Sequence, residues 1–118
     1  MLIPYKQDLE KTVMGLLSYL PDLKNIDNLK SEMALINGNN DFELYVYQAS
    51  DGNKVGVIGV QTSDQFVVIR YLSLLPAYRD DKHRQIVVNE LEQEKNGLRI
   101  SAVPDYTYLL KFVNKNNE

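Results

Sequence analysis

The stretch IRYLSLLPAYRDDKHRQIVVNEL, Ile69 to Leu91, decides the fold. A β-rich run reaches Leu74, Pro76 interrupts it, a charged loop from Asp80 to Arg84 follows, and Ile86, Val87, Val88 and Leu91 then recur at helical spacing. Strand, loop and helix in that order put a helix N-terminus beside the end of a strand. Such a junction suits an anionic ligand, because unsatisfied N–H groups and the positive end of the helix dipole coincide there.

Downstream, the helix is expected to run for about ten residues and to stop at Asn96-Gly97, which tolerate left-handed dihedrals. A strand from Leu98 to Val103 follows this crossover helix and should therefore lie parallel to the strand ending at Leu74. Asp105 can cap a last helix whose core face is Tyr106, Leu109, Leu110 and Val113. The tail from Asn114 to Glu118 reads as frayed.

Upstream, a third strand covers about Gln65 to Leu74. Before it, Leu44, Val46 and their tyrosine neighbours, the turn Asp51-Gly52, and Val55 to Val60 read as a hairpin. Gly56 and Gly59 inside that second hairpin strand point to close packing. Earlier still, Leu9, Val13, Leu16, Leu17 and Leu20 make an amphipathic helix that Pro21 stops, and Ile26, Leu29, Met33 and Ile36 make a second one ending at Gly38. Leu2 to Tyr5 form a short first strand. The order β-α-α-β-β-β-α-β-α puts helices on both sides of a mixed sheet, an α+β fold of three-layer α/β/α type, with residues 1–118 as one domain.

Composition narrows the function. At 118 residues with 44% hydrophobic residues the chain can bury one core. A net charge of −3 gives no reason to expect nucleic acid, and the eight tyrosines fall mainly on apolar faces rather than beside a basic stripe. With no cysteine and a single histidine, His83, disulfides, a cysteine nucleophile and a metal site are not expected. The chain has no apolar run of about 18 residues, so no membrane partner is expected and the location is read as cytoplasmic.

Leu72, Leu74, Pro76, Tyr78 and Arg79 fall where the GNAT acyltransferases carry L-x-V-x-P-x-Y-R, and this segment resembles theirs. More narrowly, MLIPY, MGLLSYLPD, VGVIGV and IRYLSLLPAYR resemble the small acetyltransferase-like proteins of bacterial riboflavin operons. The resemblance implies a GNAT-like sheet without the family's C-terminal strand pair, acetyl-CoA as substrate, and a small-molecule amine as acceptor. It places the backbone of Leu72 and Leu74 along the pantetheine, and Arg79, Lys82, His83 and Arg84 at the pyrophosphate. Asp105 takes a position where the family often has asparagine. The family loop, R/Q-x-x-G-x-G/A, is matched here only at Arg79, since Lys82 and Arg84 replace both glycines. An open edge at the last strand is a place where a second copy could pair and form a homo-oligomer.

Acetyl transfer needs a deprotonated amine, a polarised carbonyl and a proton for the departing thiolate. The family's proton-donating tyrosine position falls on Phe112, which has no proton to give; Tyr108, one turn earlier on the same expected face, is the candidate in its place. Glu43 and Asp64 are the nearest thing to a general base, and both read as solvent-facing strand ends. Two functions stay open: an acyltransferase, and a degenerate relative that binds CoA or a protein without chemistry.

Overall fold

The computed structural model describes residues 1–114. Its strands are β1 (Leu2–Pro4), β2 (Phe42–Gln48), β3 (Lys54–Thr62), β4 (Phe66–Leu74) and β5 (Arg99–Ala102). The helices are α1 (Glu10–Leu17), α2 (Ile26–Gly38) and α3 (Asp81–Glu94), and the chain closes on a 3₁₀ helix, Pro104–Phe112. The five strands form one sheet in the order β1-β2-β3-β4-β5, antiparallel except for the β4–β5 pair.

Both faces of this sheet are covered, so its inner strands read as nearly continuous apolar runs. Neighbouring residues therefore serve different cores. In β3, Val57 joins the core under α1 and α2 while Ile58 joins the core under α3 and the 3₁₀ helix, and both are 0% exposed. In β2, Val46 and Tyr45 divide in the same way. The glycines of β3 answer to this packing. A Cβ on Gly59 would enter the ring of Tyr71, and one on Gly56 would lie 2.8 Å from the Ser73 carbonyl oxygen.

Two irregularities of β4 shape the molecule. Gly59 pairs with Tyr71 and Val60 with Ile69, so Arg70 is an extra residue in a bulge. On the other side, pairing with β5 begins at Phe66 opposite Arg99 and ends at Ile69 opposite Ala102. The Val103 N–H makes a last bond to the Ile69 carbonyl, 3.0 Å, before Pro104 turns the chain into the 3₁₀ helix. From Arg70 to Leu74, β4 continues with no β5 partner. Pairing stops because β5 itself ends at Ala102.

Three local expectations need correction. The charged segment is the first turn of α3, not a loop: α3 starts at Asp81 and has 14 residues. Asp80 is its N-cap, and a stretch with no glycine or proline can propagate helix before any apolar residue appears. Second, the last helix is 3₁₀ and starts after Val103, so Asp105 lies inside its first turn and does not cap it. A period of three then brings Tyr106, Leu109 and Phe112 to one face; Leu109 is 0% and Phe112 7% exposed. Tyr108 is 48% exposed and does not share the face of Phe112, because four residues of a 3₁₀ helix turn it about 120° away. Third, Asn114 is anchored, its N–H donating to Glu92 Oε1 at 3.0 Å. The rest of the tail, residues 115–118, lies outside the described residues.

Candidate functional site

Beside the end of β4 that β5 leaves unpaired lies a groove of about 160 Å³ lined by Leu72, Leu74, Arg79, Arg84 and Tyr108, with Tyr19 and Leu20 entering from the segment after α1. Ser73, between the two leucines, sends its hydroxyl the other way, to the Leu16 carbonyl at 2.7 Å, and so fixes α1 against β4. Arg79 is tied to the strand it follows: its Nε donates to the Leu74 carbonyl, 2.8 Å, and its guanidinium lies 5.5 Å from the centre of the Tyr19 ring. Arg84 reaches the same groove from the first turn of α3 and pairs with Asp81 at 3.1 Å on the surface.

The start of α3 already holds an anion. The Asp80 carboxylate accepts the His83 backbone N–H at 2.9 Å and lies 2.7 Å from His83 Nδ1. Those bonds, the backbone one first, hold the Asp80 carboxyl below the usual carboxylate range. The N–H groups of Asp81 and Lys82 take no bond among the described residues. Lys82 and His83 point away from the first groove, into a separate one beside Tyr47 and Tyr78. There the imidazole packs edge-on against Tyr78, 4.9 Å between ring centres. Of the four side chains expected at one phosphate, two, Arg79 before the helix and Arg84 in its first turn, thus line the groove beside the free end of β4, and two line the other groove.

A second, larger groove of about 670 Å³ adjoins the first and shares Leu20 and Tyr108 with it. Asp105 lies here, with Asp22 and Tyr106, rather than beside the arginines. Its inner wall is an ion pair that the sequence reading missed. Arg70, the bulge residue, donates from both Nη atoms to Glu32, 2.7 and 2.8 Å, and the Tyr71 hydroxyl donates to the same carboxylate at 2.7 Å. Burial works to raise the Glu32 pKa, but the bonds from Arg70 and Tyr71 outweigh it and hold the group below its ordinary value. Burial, followed by the charge of Glu32, drives the Tyr71 hydroxyl far up, so it stays protonated. Tyr106 is raised mainly by burial, while its hydroxyl reaches the backbone of Leu72 at the open edge of β4. An arginine inside the run VVIRYL was the one visible signal of this wall. Nothing in the sequence tied it to Glu32.

Glu43, expected at a solvent-facing strand end, is instead bonded by Thr62 and Lys95 and lines neither groove. Asp64 also lies outside both.

A mixed sheet whose fourth and fifth strands are parallel, with a crossover helix between them, is shared with solved acetyltransferases of the GNAT fold. The aminoglycoside acetyltransferase AAC(6')-Iy, solved with a CoA-S-monomethyl-acetylneamine bisubstrate analogue, superposes with a TM-score of 0.72 at 14% identity, over 94% of this chain and 84% of that one. The 6'-N-acetyltransferase AAC(6')-Ih of Acinetobacter baumannii gives 0.71 at 11% identity over 100% and 92%. Tetrahymena GCN5 gives 0.69 at 12% over 99% and 84%. At these identities the likeness is one of fold. In sequence, the Bacillus methanolicus protein named "Uncharacterized N-acetyltransferase in lysA 3'region" is 34% identical over 80 residues, which are 67% of this chain and 66% of that protein. The match therefore spans just under two thirds of that relative's length. No family model matches the chain. The solved structures show the fold, and this relative shares sequence with part of the chain.

Proposed function

We propose that the protein is a GNAT-type N-acetyltransferase that moves an acetyl group from acetyl-CoA to a small-molecule amine. The observation that carries this reading is the open edge of β4 from Arg70 to Leu74, facing a groove that Arg79, Arg84 and Tyr108 line. An extended pantetheine chain pairs with such an edge as a further strand would, through backbone groups of Leu72 and Leu74. Arg79 and Arg84 at the groove's mouth meet the pyrophosphate, their guanidinium donors suiting phosphate oxygens. CoA occupies the first groove and the amine enters from the second.

The reacting thioester then lies near Tyr108, the side chain common to both grooves. The ammonium gives one proton to water and its nitrogen attacks the carbonyl carbon; as the C–N bond forms and the C–S bond breaks, the nitrogen loses a second proton to water. A backbone N–H on the open edge takes up the charge that grows on the carbonyl oxygen. Tyr108 gives its hydroxyl proton to the departing thiolate and regains one from water. Titration calorimetry with acetyl-CoA, followed by an assay of free thiol over a panel of amines, tests both halves. Absence of heat with acetyl-CoA defeats the reading outright.

A second reading has its own observation. Asp80 occupies the anion position at the start of α3, Lys82 and His83 face away, and Phe112 is buried. These features favour a protein that holds CoA, or a protein partner, without transfer. Heat with acetyl-CoA and no thiol release with any amine would select it. The narrower likeness to riboflavin-operon proteins supports a role near flavin synthesis, and loss of flavin in a strain lacking the gene is its test.

A further inference from the structure

We infer that the second groove takes, as acceptor, a small amine carrying a second positive charge, a diamine rather than a monoamine or an amino acid. This rests on the transfer reading above, and deepens it by naming the acceptor's class. The first argument is the division of charge across the shared wall of Leu20 and Tyr108. The first groove presents the guanidinium groups of Arg79 and Arg84. The second presents three carboxylates, Asp22, Glu32 and Asp105, against one guanidinium, Arg70.

The second argument is that this lone guanidinium is already engaged. Both of its Nη atoms are bound to Glu32, whose carboxylate also holds the Tyr71 hydroxyl. Arg70 is therefore not offered to a substrate carboxylate, and Glu32 is not offered to a substrate ammonium. Asp22 and Asp105 have no ion-pair partner among the described residues, and both are exposed at the groove. A single amine must present its nitrogen, uncharged, at the wall beside Tyr108. Asp22 and Asp105, in the same groove, have work only if the substrate carries another cation.

The walls fit what joins the two nitrogens. Tyr106 and Tyr108 stand 6.1 Å apart, ring to ring, inclined at 34°. Such faces pack against methylene groups and attract an ammonium. An acceptor bearing a carboxylate would face Asp22 and Asp105 with like charge and no free cation in return.

The test is a titration of the ¹⁵N-labelled protein with 1,4-diaminobutane, n-butylamine and 4-aminobutanoate, followed by thiol release from acetyl-CoA with the same three amines. The diamine should bind more tightly than butylamine, shifting the amides of Asp22, Asp105 and Tyr106, and aminobutanoate should bind weakest. Asp22→Asn and Asp105→Asn should each weaken the diamine by about fivefold and flatten its salt dependence, with melting temperature confirming that both fold. Equal binding of diamine and butylamine overturns the inference, as does unchanged diamine affinity in both variants. Faster thiol release with butylamine than with the diamine also overturns it, while leaving the transfer reading intact. Selective diamine binding with no thiol release from any amine removes the acceptor role and the transfer reading together.

Discussion

The Asp80 carboxylate accepts the backbone N–H of His83, 2.9 Å away, and so fills from within the chain the place where a phosphate would sit at the start of α3. A helix N-terminus offers the same donors to a capping side chain as to a ligand. If the proposed CoA pyrophosphate reaches this helix start, Asp80 competes with it. Asparagine also caps helices well but brings no charge. Asp80→Asn should tighten CoA binding severalfold by calorimetry, with the gain shrinking as salt rises. Weaker binding would show that Asp80 helps to place the ligand instead.

Arg79 and the first turn of α3 carry four basic side chains, which the two grooves separate. Arg79→Ala and Arg84→Ala should each weaken CoA by about tenfold, the scale of a charge-assisted hydrogen bond lost. Lys82→Ala and His83→Ala, on the opposite face, should leave it nearly unchanged. Equal losses from all four would mean that phosphate is held by general attraction, not in the groove beside the free end of β4.

Tyr108 stands where the two grooves meet. If it protonates the thiolate, Tyr108→Phe keeps the ring and loses the proton. Turnover should then fall by about a hundredfold while acetyl-CoA affinity holds. Unimpaired thiol release in Tyr108→Phe would end its role as acid.

Glu32 links stability to pH. Its folded-state pKa lies below the ordinary 4.5, so the folded chain holds the charged form more firmly than the unfolded chain does. That contribution is complete above about pH 4.5 and is lost as the pH falls through the folded-state value. Glu32→Gln leaves Arg70 with no countercharge and should cost about 3 kcal/mol at neutral pH, by urea melts. Its stability should also fall less steeply in acid. A variant that tracks the wild type through the acid range would place the linkage elsewhere, with Glu43, whose own bonds also hold it low, as the next group to test.

Much of the fold was legible because it is written in local periods. Val55 to Val60 and Phe66 to Leu74 are long enough apolar runs to be strands buried on both faces, and Asp51-Gly52 and Asn96-Gly97 mark turns. Gly52 and Gly97 indeed take φ of +90°, a conformation that other residues adopt only with strain. The start of α3 was not legible, because its first turn is wholly polar and apolar periodicity begins only at Ile86. The 3₁₀ character of the last helix escaped for a related reason: Tyr106, Leu109, Leu110 and Val113 fit a period near 3.6, whereas Tyr106, Leu109 and Phe112 fit three.

The sequence by itself determined where the chain alternates, where it turns, and that a strand ending near Leu74 leads through Arg79 into a helix bearing Arg84. Those are properties of neighbours along the chain. Only the tertiary structure decided that β4 outruns β5 after Ile69, that Arg70 is claimed by Glu32 from 38 residues away, and that Asp105 faces the anionic groove rather than the arginines. Each depends on which way a side chain points once distant segments have packed. A cation in the sequence is only a charge; what it can bind is settled by the partner that folding has already given it.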